Sequence, residues 1–332
     1  MPDMREKFFL GIDTGATKTH ALLTDAAGHT LAFEQGGPGN PQSIGGYRAL
    51  ERLLADLAQR ACQAVGISIG DIHAAGLGLA GFDWPSQHER FYQTARSAGL
   101  PEASYLVNDA ALGIYAGTSR GWGICVGAGT SFNCRGLGPD GREARAIGDG
   151  LKWGEGAGAL ELAVRAAQIV IADWLRTGPE TQLTALFMRT FGSNSRAELV
   201  EGMVLRRYPI TAELAPMILE VARKGDAPAN KAVRWAAEKL ADLAIGAARQ
   251  LELQDQAFEI VLSGSFFKAG EILIAPIKEK ILEIAPYAEF RLLDIPPVCG
   301  GVIMAMVESS SIEVKDIGRI QARLRVYFLG RV

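Results

Sequence analysis

Two short glycine-containing loops carry the residue types that bind phosphate. The first, residues 15–19, reads Gly-Ala-Thr-Lys-Thr, and the second, residues 127–131, reads Gly-Ala-Gly-Thr-Ser. In such loops successive backbone N–H groups face one concavity, and small side chains leave an anion room to approach. A single loop of this kind is equally typical of a tight hairpin. Two of them favour a nucleotide held by its β- and γ-phosphates, with a third segment, residues 263–267, near the nucleoside.

Two aspartates follow predicted strands close to these loops. Asp13 ends the first apolar run, where a carboxylate can reach Mg²⁺ directly or through water. Asp109 ends a later strand beside Asn108, where it can accept the proton of a substrate hydroxyl that attacks the γ-phosphate. Each aspartate also has a structural interpretation, because Asp13 can cap a turn and Asp109 can cap the following helix. The nearby loops are what favour the chemical interpretation of both.

The elements that must position these residues follow from the apolar patterns. Short apolar runs predict strands at residues 8–12, 19–24, 72–79, 105–107, 123–126, 132–137 and 258–262. Helical spacing of apolar residues predicts helices at about 46–65, 85–97, 157–176, 180–189, 212–223, 229–251 and from about 270. The glycine loops and both aspartates therefore lie at strand ends.

The order strand, glycine loop, strand, turn occurs twice. Gly15 and Gly28 are 13 residues apart, and Gly127 and Gly141 are 14 apart. This repeat predicts an α/β fold of two duplicated domains, each with a mixed sheet, and a nucleotide cleft between them. We expect the first domain to cover residues 1–117 and the second 118–307, with the last helix, about 308–332, returning to the first.

Composition excludes several classes of protein. The chain has 332 residues, which corresponds to about two domains, and 48% hydrophobic with 21% charged residues is typical of a folded protein. A net charge of −3 without long charged blocks argues against a nucleic-acid-binding or membrane-surface protein. The start of the chain lacks the apolar core of a signal peptide, and no stretch suits a transmembrane helix. The four cysteines lie far apart, which argues against a local zinc or iron–sulfur motif and favours reduced thiols in the cytoplasm.

Five segments resemble, in order, the signatures of the actin, Hsp70 and sugar-kinase superfamily. They are the first phosphate loop at residues 10–19, the first connecting helix at 108–113, the second phosphate loop at 127–131, the adenosine motif at 260–266 and the second connecting helix at 299–305. Within that superfamily, segments 37–41 and 138–142 resemble the BadF/BadG/BcrA/BcrD ATPase family, which contains N-acetylglucosamine and glucosamine kinases. The resemblance spans about residues 8–307.

This resemblance implies two ribonuclease H-like (actin-like ATPase) domains and ATP- and Mg²⁺-dependent phosphorylation of an amino sugar, most plainly N-acetylglucosamine or glucosamine. Asp109 would be the catalytic base and Asp13 would hold Mg²⁺. The expected nucleotide contacts are Thr14, Gly15, Ala16, Thr17, Lys18, Gly127, Ala128, Gly129, Thr130, Gly264 and Ser265. The expected substrate contacts are Asn40, Asn108, Asp109, Asn133 and Glu155. We expect a cytoplasmic homodimer that binds neither nucleic acid nor membrane.

Segment 147–157 departs from the family. The kinases usually carry Gly-Trp-Gly and then Gly-Asp-Glu-Gly-Ser, whereas here Glu155 keeps one acidic position and Gly154 stands where the aspartate would be. Two alternatives therefore stay open. One is an ATPase that activates an acyl-CoA dehydratase or reductase through a shared iron–sulfur cluster, which needs nearby cysteines from each subunit. The other is a nucleotide-dependent sensor that has lost the substrate chemistry.

Overall fold

The structure, a computed structural model, describes residues 7–148 and 150–330. Its strands are β1 Phe8–Thr14, β2 Thr19–Asp25, β3 Thr30–Gly36, β4 Ile72–Leu79, β5 Ser104–Asn108, β6 Gly123–Ala128, β7 Phe132–Leu137, β8 Glu143–Arg145, β9 Phe258–Ser263 and β10 Ala288–Leu292. Its helices are α1 Tyr47–Gln63, α2 His88–Ser97, α3 Leu112–Gly117, α4 Ala159–Leu175, α5 Gln182–Phe191, α6 Arg196–Val204, α7 Ala215–Arg223, α8 Ala227–Gln250, α9 Glu271–Leu282, α10 Val298–Glu308 and α11 Ile317–Leu329. None of these helices is long and apolar enough to cross a membrane.

The strands form two five-stranded sheets of the same topology. The first sheet has the order β3-β2-β1-β4-β5, and the second has the corresponding order β8-β7-β6-β9-β10. In the first sheet β1, β2 and β3 pair antiparallel in turn, β4 pairs parallel with β1, and β5 pairs parallel with β4. The second sheet repeats this pattern with β6, β7, β8, β9 and β10. The prediction of an α/β fold with two duplicated mixed sheets is therefore confirmed.

Strand β1 is apolar because both of its faces are covered. Phe8, Leu10 and Ile12 pack into a core with α1 and α2, whereas Phe9, on the opposite face, packs with α10 and α11. Alternate residues of a strand point to opposite faces, so a strand buried on both sides needs a continuous apolar run. The second sheet has its own core, formed mainly with α4, α5, α7 and α8.

Helix α10 lies against the first sheet at unusually short range. A Cβ on Gly11 would be 2.6 Å from the carbonyl oxygen of Val298, and one on Gly301 would be 2.6 Å from that of Gly76. Only glycine allows two backbones to approach this closely. Helix α11 also returns to the first half of the chain, where Gln321 Nε2 donates to the carbonyl oxygen of Thr118 at 2.8 Å. The exact limits of the two domains stay a prediction.

Candidate active site

Asp13 and Asp109 lie at the same edge of the first sheet. Strand β1 pairs parallel with β4, which places Asp13 opposite Gly78, and β4 pairs parallel with β5, after which Asp109 follows directly. A Cβ on Gly78 would be 3.2 Å from the Cα of Asp109. Because the carboxyl ends of parallel strands share one edge, the two carboxylates become neighbours across β4. This edge is where α/β sheets commonly bind ligands.

The two carboxyl groups hold their protons more tightly than ordinary aspartates. Burial, followed by the negative charge of Asp109, raises the pKa of Asp13 to about 7, although Lys18 opposes the shift. Burial also raises the pKa of Asp109 to about 6, with Asp83 adding to the shift and Arg135 opposing it. A pKa near working pH is suited to a general base, because the group is deprotonated yet still basic.

In the structure Asn108, and not Asp109, is the N-cap of the turn that follows β5. The turn that leads into α3 has Asn108 as its N-cap, and Asn108 Oδ1 accepts the N–H of Ala110 at 3.1 Å. Asp109 occupies the next position, where one carboxylate oxygen accepts the same N–H at 3.0 Å. Asn108 alone meets the requirement for a cap. The Asp109 carboxylate is therefore not needed to begin the helix.

A polar cluster joins the two sheets beside Asp109. Asn133 Nδ2 in β7 donates to Asn108 Oδ1 at 3.2 Å, and Asn108 Nδ2 donates to Asp83 Oδ1 at 3.1 Å. Arg135, two residues along β7 from Asn133, donates from Nη2 to the same Asp83 oxygen at 2.8 Å. Sequence reasoning missed Asp83 and Arg135. The available signal was an arginine in the middle of the strand predicted at residues 132–137, because a charged side chain on a buried strand face needs a partner.

The other two expected substrate contacts lie next to this cluster. A Cβ on Gly81 would be 2.7 Å from Asn40 Oδ1, so Asn40 contacts the segment that follows β4 and leads to Asp83. Glu155 accepts the backbone N–H groups of Ile147 and Gly148, each at 2.6 Å. A Cβ on Gly148 would be 3.5 Å from Asn133 Oδ1. Glu155 thus fixes the backbone of the segment that departs from the family, at a point where Gly148 lies against Asn133 of β7.

The second phosphate loop and the adenosine segment are in direct contact. Gly264 has φ +113°, and a Cβ there would be 2.8 Å from the carbonyl carbon of Ala128 and closer still to its oxygen. A Cβ on Gly129 would be 3.9 Å from Ser265 Oγ. Glycine alone tolerates both this dihedral angle and this approach. Two of the three predicted nucleotide segments, including Gly127 and Ser265, therefore form one surface at the ends of β6 and β9.

The first loop projects from the β1–β2 hairpin. Gly15 N–H donates to the carbonyl oxygen of Lys18 at 2.9 Å, and the side chains of Ala16, Thr17 and Lys18 are exposed at the tip. Thr14 differs from them, because it is fully buried and its Oγ1 accepts the N–H of Ala80 at 2.8 Å. The Thr14 hydroxyl ties the loop to the end of β4. The loop tip therefore leaves the Thr17 hydroxyl, the Lys18 amine and the backbone accessible where a phosphate would approach.

The carboxylates near Asp13 are too few to bind a metal ion alone, but they suit Mg²⁺ that is also bound by water and phosphate oxygens. Among residues 7–148 and 150–330, no group of three His, Cys, Asp or Glu side chains could hold a metal ion by itself. Mg²⁺ in phosphate-transfer sites typically has one or two carboxylates, with waters and phosphate oxygens completing the coordination. A cation beside Asp13 and Asp109 would also offset the charge that raises the pKa of Asp13. The residues present therefore fit a Mg²⁺–nucleotide complex.

Comparison with known proteins gives consistent matches along most of the chain. The model of the BadF/BadG/BcrA/BcrD ATPase family matches residues 10–305. The N-acetylmuramic acid/N-acetylglucosamine kinase of Clostridium acetobutylicum is 24% identical over 91% of this chain and 99% of its own length. The N-acetyl-D-glucosamine kinase of Dictyostelium discoideum is 23% identical, with the same two coverages.

Solved structures with the same fold include sugar kinases. A candidate N-acetylglucosamine kinase from Chromobacterium violaceum superposes with a TM-score of 0.63 at 21% identity and covers 90% of this chain and 99% of its own. A ROK family glucokinase from Streptomyces griseus, solved with glucose and AMPPNP, gives a TM-score of 0.53 at 19% identity and covers 91% of this chain and 98% of its own. At these identities the similarity establishes the fold.

Proposed function

The chain belongs to the BadF/BadG/BcrA/BcrD ATPase family, and from this premise we propose that it phosphorylates a hydroxyl of an amino sugar with ATP. N-acetylglucosamine is the first candidate and glucosamine the second. The observation that carries the proposal is Asp109, a carboxylate with a pKa raised to about 6, next to Asp13 and to a polar cluster from both sheets. Two relatives that the chain matches almost end to end are named as kinases of N-acetylglucosamine.

Asp109 and its neighbours have distinct roles in this reaction. Asp109 accepts the proton of the sugar hydroxyl as that oxygen attacks, and above its pKa it carries the charge this requires. Bound Mg²⁺–ATP supplies the phosphoryl group and neutralises the charge that develops during transfer. Asp13 would hold the cation, directly or through water. The sugar is uncharged or singly charged, so hydrogen bonds from Asn40, Asn133 and the Glu155 segment would orient it.

The remaining nucleotide contacts follow from the three loops. We assign the phosphates to the backbone of the two glycine loops, and the nucleoside to Gly264 and Ser265 beside the second loop. The residues concerned are Thr14, Gly15, Ala16, Thr17, Lys18, Gly127, Ala128, Gly129 and Thr130. Four predictions accompany this assignment: the use of Mg²⁺, a homodimeric state, a cytoplasmic location and the domain limits given above.

Burial of the cysteines removes support from the iron–sulfur alternative. Cys62, Cys125, Cys134 and Cys299 are each at most 1% exposed, and burial raises the pKa of each thiol. A cluster shared between subunits needs thiolates that reach the protein surface. In this fold none of the four cysteines does so.

The substrate assignment is tested by a panel of sugars. ADP release, coupled to an optical assay and confirmed by mass detection of the phosphorylated product, is measured over hexoses, hexosamines and N-acetylhexosamines. We expect N-acetylglucosamine to give the highest kcat/KM and glucosamine the second. ADP release that no sugar stimulates, with no phosphosugar formed, would contradict the kinase assignment and favour the sensor.

Activity should also depend on pH through Asp109. Because the pKa of Asp109 is raised to about 6, the base is protonated below that pH and ionised above it. At a fixed, saturating Mg²⁺ concentration, kcat/KM should therefore be flat at neutral pH and fall about tenfold for each pH unit once Asp109 is protonated. The measurement is the pH profile of kcat/KM for the best sugar. A profile flat through this range would show that Asp109 is not the titrating base.

A further inference from the structure

Arg135 and Asp83 form an ion pair that connects the two sheets. Arg135 lies in the middle of β7 with a side chain only 7% exposed, and Asp83 lies on the segment that follows β4, 30% exposed. Arg135 Nη2 is 2.8 Å from Asp83 Oδ1, and Nη1 donates to the carbonyl oxygen of Ala146 at 2.8 Å. A buried guanidinium that loses its acid partner is strongly unfavourable. The pair therefore ties the second sheet to the end of β4.

The face of β7 that carries Arg135 also carries Asn133. Residues two apart in a strand point to the same face, and the residue between them, Cys134, faces the core of the second sheet. Asn133 reaches Asn108 Oδ1, and Asn108 in turn reaches Asp83 Oδ1. Four side chains, two from the first-sheet side and two from β7, thus form a continuous series of contacts across the junction between the sheets.

Asp109 lies at the end of this chain of contacts. Asn108 precedes it directly and caps the turn on which Asp109 stands, so a movement of β7 relative to β5 is transmitted to the Asp109 backbone. The charges of the pair also act on Asp109 in opposite directions, Asp83 raising and Arg135 lowering its pKa. The other titratable groups that face Asp109 are Asp13 from β1 and the Cys125 thiol from β6.

We propose that Asp83 and Arg135 are a positioning pair that joins the two sheets and sets the place of Asp109 relative to the acceptor hydroxyl. The proposal rests on the proposed function and deepens it, because neither residue touches the reacting atoms. Misplacement of a catalytic group by about 1 Å can lower a rate on the order of 10²-fold. The pair should therefore affect kcat far more than nucleotide binding.

The test uses two variants that each remove one charge of the pair, and a matched control. Asp83→Asn and Arg135→Gln should each lower kcat by about 10- to 100-fold, with the KM for ATP within about twofold of the parent. The acid limb of the kcat/KM profile should move to lower pH in Asp83→Asn, which removes a negative charge near Asp109, and to higher pH in Arg135→Gln, which removes a positive one. The control is Arg196→Gln, which breaks the ion pair between Arg196 and buried Asp173 in the helical region. It should leave kcat and the acid limb of the kcat/KM profile unchanged.

A purely structural pair would give a different result. Loss of stability alone lowers the active fraction without moving the pH limbs in opposite directions, and that outcome overturns the proposal. If Arg135→Gln does not fold, Arg135→Lys replaces it. Lysine keeps the charge but cannot make both of the bonds of the guanidinium, so kcat should fall while the acid limb stays in place.

A second measurement does not depend on sugar phosphorylation. Amide hydrogen exchange of the peptide over residues 108–113, in protein without ligands, should be faster in both pair variants than in the parent and the Arg196→Gln control. Faster exchange in a chain that phosphorylates no sugar would support the positioning role and contradict only the proposed function. Unchanged exchange in both variants would overturn the positioning role whatever the substrate.

Discussion

Replacement of Asp109 by Asn is expected to abolish phosphoryl transfer and to leave ATP binding nearly intact. The change keeps the size of the side chain and its bond to the N–H of Ala110, but removes the only group assigned to take the hydroxyl proton. General-base catalysis contributes roughly 10²–10⁴-fold, so kcat should fall by about that factor. Turnover is measured by coupled ADP release, and nucleotide affinity by titration calorimetry with ATP in the absence of sugar.

Asp226 offers a matched control for the capping interpretation of Asp109. It is the N-cap of α8, where its Oδ1 accepts the N–H of Ala229 at 2.9 Å, and it lies in the helical region away from β5. Asn is about as good an N-cap as Asp, so Asp226→Asn should leave turnover within a few-fold of the parent. If Asp109→Asn behaves in the same way as this control, Asp109 is not the catalytic base.

Replacement of Gly76 by Ala is expected to destabilise the whole protein. A Cβ on Gly76 would lie 2.8 Å from the carbonyl carbon of Gly301 in α10, and closer still to its oxygen. Helix α10 is held from the other side as well, because a Cβ on Gly300 would be 2.8 Å from the carbonyl carbon of Leu112. Overpacked cores typically lose about 1–3 kcal/mol, and here backbone must move, so we expect a loss at or above that range. Urea denaturation of the purified protein measures it.

The same substitution at Gly246 should have the opposite sign. Gly246 lies inside α8, and a Cβ there would meet nothing within 4 Å. Alanine in an unobstructed helical position is favoured over glycine by roughly 0.5–1 kcal/mol, so Gly246→Ala should raise the free energy of unfolding. Equal effects at the two positions would show that α10 and β4 can separate at little cost.

Much of the fold could be predicted from the sequence because its signals are local. Strands β4 and β7 have the predicted limits, and the repeat of strand, loop, strand and turn correctly indicated two sheets of one design. The sequence did not reveal β3, β8, β10 and α6. Strand β8 has three residues, and β10 is a largely exposed edge strand of mixed composition, so both owe their form to the strand beside them.

The candidate site likewise has residues that local sequence signals identified and contacts that only the tertiary structure shows. Asp13 and Asp109 were identifiable because each lies at the end of a predicted strand, Asp13 directly after its apolar run and Asp109 one residue beyond it. Backbone geometry decided that Asn108 and not Asp109 caps the turn leading into α3, and the packing of the two sheets decided the contact between Asp83 and Arg135. That contact joins residues 52 positions apart along the chain. Periodicity describes which face of one element is buried, but it carries no information about which residue of a distant element lies opposite, so only the tertiary structure could bring these charges together.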